Sequence, residues 1–237
     1  MNQPLKLHER IYNMLRRAQD YTPETADEFK EEQEVLNKVL LAHLDFQEHP
    51  PPGHEGFGDM FGSYWERTEQ LNAGAGQFFT PMHIVDVMCR ITCTPTRGEP
   101  QYFSDPTAGC GRFMLGVAKH YHKEVGMYNF LYHNVDIDRR MFVGCTMNAI
   151  LYGIPSINIW GNTISLEFWE GFAVVQPAGM PTLWYHLDKE AVQQFVPKFT
   201  RPKTGLEKFV DVKVAERPER KRRVAEAKPQ QSMLGDT

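Results

Sequence analysis

The sequence contains no apolar run long enough to cross a bilayer, and its N-terminus, MNQPLKLHERIYNMLRR, lacks the apolar core of a secretory signal. A soluble, cytoplasmic protein with no membrane partner is expected. Cysteine is scarce, and Cys89, Cys93, Cys110 and Cys145 show no Cys-x-x-Cys spacing, so neither a zinc site nor a disulfide framework is expected. Cys89 and Cys93 stand four apart on a helical pattern, as buried thiols in a reducing compartment do. The histidines form no His-Glu-x-x-His, and no metal site is expected. An excess of positive charge is also missing. With 26 basic and 30 acidic residues the net charge is −4, which excludes nucleic-acid binding over the whole surface and leaves room only for a local patch. RPERKRR (217–223) is such a patch, able to meet DNA phosphates, although a charge run in a tail is more often simply solvated.

What is present suits one domain with appendages, since 237 residues at 41% hydrophobic can bury a real core. The organisation expected is a helical N-terminal region over 1–72, a core domain over 73–214 and a basic, disordered tail over 215–237. Residues 5–19 and 23–48 read as helices, the second capped by Thr22 or Thr25, with Val35, Leu36, Val39, Leu40 and Leu44 as its core stripe. Pro and Gly in HPPPGHEGFG (49–58) end that helix, and a short helix follows over 59–71. Phe57, Phe61, Tyr64 and Trp65 around it read as core rather than as a base-stacking platform. Beyond Ala73–Gly76 the pattern alternates. Helices are expected at 82–93, 112–124 and 139–152, with strands at 102–105, 130–136 and 156–160. Such alternation predicts a parallel α/β sheet with right-handed crossovers. A fourth strand at 171–177, a short helix at 188–195 and an edge strand at 208–214 complete the reading.

Three motifs carry chemistry. In FSDPTAGCGRFML (103–115) a strand ends at Asp105 and a glycine turn, Gly109 and Gly111, opens a helix. Ligands of open α/β sheets bind at such carboxyl ends of strands, where glycine lets backbone approach closely. A carboxylate there suits an ammonium group better than a pyrophosphate, which points to a cationic amino-acid ligand such as S-adenosylmethionine (AdoMet). An ordinary tight strand–helix turn accounts for the same glycines. In NVDIDRR (134–140), Asp136 ends the next strand and is a candidate for ribose hydroxyls, with Asp138 as a helix N-cap. In INIWGNTIS (157–165), Asn162 is a candidate for an adenine edge, and turn formation by Gly-Asn explains it equally well.

GQFFTP (76–81), DPTAGCGRFML, VDIDRRMFVGCTMNAILYGIP and GNTIS, taken in order, resemble successive motifs of the N6-adenine DNA methyltransferases, most of all the modification subunits of type I restriction–modification systems. The likeness covers about residues 55–165. It implies a Rossmann-like AdoMet-dependent methyltransferase fold, α/β with a mostly parallel sheet, preceded by a helical region and here holding fewer strands than the family's full sheet. It also implies that Gln77, Phe78, Phe79, Thr80 and Pro81 form a loop over AdoMet, with Thr80 toward the methionine carboxylate and Phe79 packed on the cofactor. Asp105 and the backbone of Pro106, Gly109 and Gly111 would hold the methionine part, Asp136 the ribose and Asn162 the adenine amino group. Asn148 and Gly153 match structural positions of the family.

The resemblance breaks at the catalytic motif. The family carries Asn or Asp, Pro, Pro and an aromatic residue after its fourth strand, where a flipped adenine stacks and N6 is oriented. By spacing, Gln176 and Pro177 of QPAG (176–179) fall there, with Ala178 and Gly179 replacing the second proline and the ring. The residues are also too few for a target-recognition domain. Three functions follow as expectations: an adenine-N6 DNA methyltransferase of reduced size, an AdoMet- or DNA-binding pseudoenzyme, and a methyltransferase with another acceptor. Expected partners are DNA and a specificity or second methyltransferase subunit, or a second copy of the chain.

Overall fold

A computed structural model describes residues 6–68 and 78–195. Gln77, the Ala73–Gly76 stretch, the strand expected at 208–214 and the tail over 215–237 lie outside the described residues.

The N-terminal helices are α1 (Leu7–Arg17) and α2 (Lys30–Glu48), joined through short 3-10 turns at Ala18–Asp20 and Pro23–Phe29. The second helix therefore starts seven residues later than its sequence pattern suggests. Thr22 and Thr25 exchange backbone-to-hydroxyl bonds, which closes a tight turn behind Pro23 before α-helical spacing begins. On α2 the buried stripe runs through Val35, Val39 and Phe46, while Leu40 and Leu44 are exposed. Phe46 sits at the same helical phase as Val35 and Val39 and draws that side inward, so the expected stripe is corrected for its two leucines.

The short helix α3 (Met60–Arg67) is capped by Asp59, whose side chain accepts from Gly62 N–H at 2.8 Å. Phe61 and Trp65 on it are core residues, as expected. Then α4 (Met82–Thr92) leads to β1 (Gln101–Asp105), α5 (Arg112–Val125), β2 (Phe130–Asp136), α6 (Arg139–Tyr152) and β3 (Ser156–Asn162). Pairing is parallel from β1 to β2 and from β2 to β3, the arrangement that strand–helix–strand alternation dictates. Helix α6 is buried without a break from Met141 to Ala149 because it packs on β2, β3 and β4 within and on α1 and α3 without. Gly144 makes that contact possible, since a Cβ there would lie 2.5 Å from the Trp65 ring.

After β3 the sheet changes direction. Asn162 Oδ1 accepts from Ile164 N–H at 3.0 Å and from Ser165 N–H at 3.2 Å, an Asx turn that reverses the chain. β4 (Glu167–Val175) therefore begins earlier than expected and runs antiparallel to β3, and β5 (Leu183–Leu187), which the sequence pattern did not reveal, runs antiparallel to β4. The sheet is mixed, in the order β1-β2-β3-β4-β5, parallel in its first half and antiparallel in its second. Helix α7 (Lys189–Phe195) ends the described chain and sets Val192 against Gly171 of β4.

All four cysteines are free and buried, and burial pushes the Cys89 thiol up to about 12. Among the described residues no helix is long and apolar enough to cross a membrane, and no cluster of His, Cys, Asp or Glu could hold a metal ion.

Candidate functional site

Parallel strands end on one side of a sheet, so Asp105, Asp136 and Asn162, the last residues of β1, β2 and β3, are brought to one edge. A cavity of about 530 Å³ opens there, of a size suited to a small-molecule ligand. Phe78, Phe79, Pro106, Gly109, Asp136 and Asn162 line it, six of the residues singled out from the sequence. Its described lining includes two carboxylates, Asp136 and Asp138, and no lysine or arginine.

Local chemistry explains the cradle. Gly109 and Gly111 both have positive φ, +56° and +82°, which keeps the backbone after β1 tightly curled before α5 begins. Gly109 N–H donates to Asp136 Oδ2 at 2.8 Å, and Asp138 N–H donates to Asp136 Oδ1 at 2.8 Å. Each oxygen of Asp136 keeps further acceptor capacity for a ligand. A Cβ on Gly109 would come within 3.0 Å of the Phe79 ring, so loop and cradle touch only because the residue is glycine. Thr163 completes the wall by donating its hydroxyl to Pro106 O at 2.6 Å.

Burial raises the pKa of both strand-end carboxyls. For Asp136 the Asp138 and Gly109 N–H groups oppose it, and for Asp105 the Thr107 N–H does so at 3.1 Å. Both are carboxylates held in the fold at an electrostatic cost, which a bound cation or hydroxyl donor would relieve.

The remaining expected residues fall elsewhere. Asp105 is half-buried at the end of β1, next to Pro106, and is not among the residues that line the cavity. Gly111 is buried behind the pocket against Cys145 and Met114. Thr80 turns its carbonyl away, to Arg112, and Pro81 is the exposed N-cap of α4. Asn162 lines the cavity, yet its Oδ1 is engaged in the Asx turn, so the turn-forming role is the one seen.

Gln176 and Pro177 require a correction, because the structure does not bring them to this pocket. Val174 pairs with Ser156 at the start of β3, so an antiparallel β4 delivers Gln176 to the opposite end of the sheet. Its side chain rests against Gly153, at the C-cap of α6. At about 3.3 Å per residue, Ser156 to Asn162 separates it from the pocket by roughly 20 Å. Trp184, which follows on β5, donates from Nε1 to Leu15 O at 3.0 Å and packs into the core, so its ring is committed there.

Sequence reading missed several residues at the site. Ile137 and Ile164 line the pocket although they are 59% and 97% exposed, and each directly follows or nearly follows a strand-end polar residue, the one signal that could have found them. It also missed a buried polar cluster beneath the loop. Arg112 Nε donates to Asp59 Oδ2 at 2.8 Å, and Asn148 Nδ2 donates to Asp59 Oδ1 and to Cys110 O, both at 2.9 Å. Asn148 and Gly153 thus have the structural roles expected of them.

A second cavity, of about 300 Å³, lies among α1, α2 and α3 with apolar lining that includes Ile11, Val39 and Phe46, and it shares no lining residue with the first. A family model described as N-6 DNA methylase matches residues 53–176, just over half of the chain and the span from before α3 to the end of β4. No curated protein and no solved structure matches the chain.

Proposed function

Because the chain belongs to the N-6 DNA methylase family, we propose that its pocket holds AdoMet and that the protein methylates adenine N6 in DNA. The observation that carries this reading is the cradle itself, lined by carboxylates and, among the described residues, by no lysine or arginine, with space for a small cationic ligand. A phosphate-bearing cofactor would meet like charge there, whereas an amino-acid ammonium or a sulfonium would be attracted.

Asp105 and the turn Pro106–Gly111 suit the methionine part, with the N-terminus of α5 favouring its carboxylate. The free lone pairs of Asp136 suit ribose hydroxyls, and Ile137 and Ile164 offer apolar walls to a flat base. Phe79, held against Gly109, closes the side toward the loop. The bound group would supply an electrophilic methyl to adenine N6, with the C–S bonding pair staying on the departing sulfur and the N6 proton passing to solvent. The protein's contribution is to fix the donor and exclude water around it.

Orientation of the adenine falls to residues other than Gln176 and Pro177. That distance favours a second reading, a protein that binds AdoMet but transfers no methyl group unless a specificity or second methyltransferase subunit, or a second copy, presents the base. Mass spectrometry of nucleosides decides between them, using DNA from a host without its own adenine methylation. The first reading expects N6-methyladenine with the wild-type chain and none with Asp105→Ala. Under the second, no methyladenine accumulates while calorimetry still detects AdoMet binding. A chain that binds no AdoMet, with or without DNA, ends both.

A further inference from the structure

We infer that Arg112 is a positioning residue that latches the Phe78–Pro81 loop against the cofactor cradle, a role that rests on the pocket being an AdoMet site. Arg112 is the first residue of α5, and its side chain is only 6% exposed. Such a buried cation is retained only where every face of it is used.

Here each face meets a different segment. Nε donates to the fully buried Asp59 carboxylate at 2.8 Å, and Nη2 donates to Glu66 Oε2 at 2.7 Å, which binds the guanidinium to both ends of α3. Nη1 donates to Thr80 O at 3.1 Å, and the guanidinium carbon lies 4.5 Å from the Phe79 ring centroid. Two consecutive loop residues are thus gripped, one by its backbone and one by its ring. The same Phe79 ring also abuts Gly109, which donates to Asp136. The chain of contacts runs from α3 through Arg112 and Phe79 to the cradle, and it fixes one wall of the pocket.

The geometry requires arginine. Only a planar fork can serve a carboxylate along one edge, a second carboxylate and a carbonyl from its tips, and an aromatic ring from its face. A lysine ammonium would still neutralise Asp59, but it would release Thr80 or Glu66 and lose the guanidinium's contact with the Phe79 ring.

Arg112→Lys in the full chain is the test, read by calorimetry with AdoMet and by amide hydrogen exchange at Phe78, Phe79 and Thr80. The expected result is a lowered but still cooperative thermal midpoint, a Kd for AdoMet raised at least tenfold, and faster exchange at those loop amides. Should that variant fail to fold, Glu66→Gln loosens one arm of the fork while the Asp59 pair stays intact. It is then expected to raise the Kd several-fold and to speed exchange at the same amides. A folded variant with loop exchange at the wild-type rate overturns the latch. Wild-type protein that binds no AdoMet overturns the pocket assignment instead, and loop exchange alone then judges Arg112.

Discussion

Asp59 illustrates how much of the pocket depends on single residues outside it. It caps α3, neutralises Arg112 and anchors Asn148, and it does so with no exposure to solvent. His133 on β2 shows the opposite solution, a titratable group buried without charge. Burial lowers its pKa to about 4, from an ordinary value of 6.5. As pH falls below 6.5 the unfolded chain takes up a proton that the native state refuses, so stability is lost progressively down to about 4. At one proton this amounts to about 1.4 kcal/mol per pH unit, or roughly 2 kcal/mol by pH 5. Chemical denaturation at pH 7 and pH 5 should show this loss in the wild type and a smaller loss in His133→Gln. Asp105 and Asp136 act with the opposite sign, because their raised pKa makes the native state the stronger proton binder above 3.8. The difference between variant and wild type therefore isolates the histidine, and equal slopes would refute its role.

At the scale of elements, helices and parallel strands were legible because their signals are local. Apolar spacing, the Asp138 cap and the αL glycine at Gly153 mark α6 to within its observed limits, and FSDPTAGCG marks the β1–α5 turn. The direction of β4 was not legible. A strand's own residues alternate identically whether it runs up or down, and GNTIS reads as a turn without saying that the turn reverses the chain. The consequence is testable. Gln176→Asn, Ala178→Pro and Gly179→Tyr together rebuild the family's catalytic tetrapeptide, yet at the wrong end of the sheet. This triple variant should gain no methyl transfer and leave AdoMet affinity unchanged. It should also lose stability, by about 1–3 kcal/mol, since Gly179 sits at φ +72° where tyrosine is strained. Appearance of N6-methyladenine with the variant alone would contradict the placement of β4.

Over the whole molecule, the N-terminal helices and the antiparallel half of the sheet brace one another. Tyr12 donates its hydroxyl to Glu170 of β4 at 2.6 Å, Arg139 lies over the Tyr12 ring at 3.9 Å, and Trp184 of β5 satisfies the carbonyl of Leu15 near the end of α1. That carbonyl lies among the last of its helix and has no intrahelical partner of its own. Trp184→Phe keeps most of the packing and removes the donor, so urea unfolding should show a loss of about 1 kcal/mol. Trp184→Ala should cost about 3 kcal/mol through the cavity it leaves. Near-zero values for both would mean that β5 does not brace α1.

The sequence by itself determined the helices and parallel strands from α4 to β3, the family and the cradle. Caps, glycines and periodicity act over a few residues, and parallel strands separated by helices leave their carboxyl ends together without further instruction. Only the tertiary structure decided that the chain reverses after Asn162, that Gln176 lies away from the pocket, and that Asp59, Arg112 and Phe79 meet. Those outcomes depend on pairings between residues far apart in the chain, and such pairings are set by which buried surfaces and buried charges can satisfy one another.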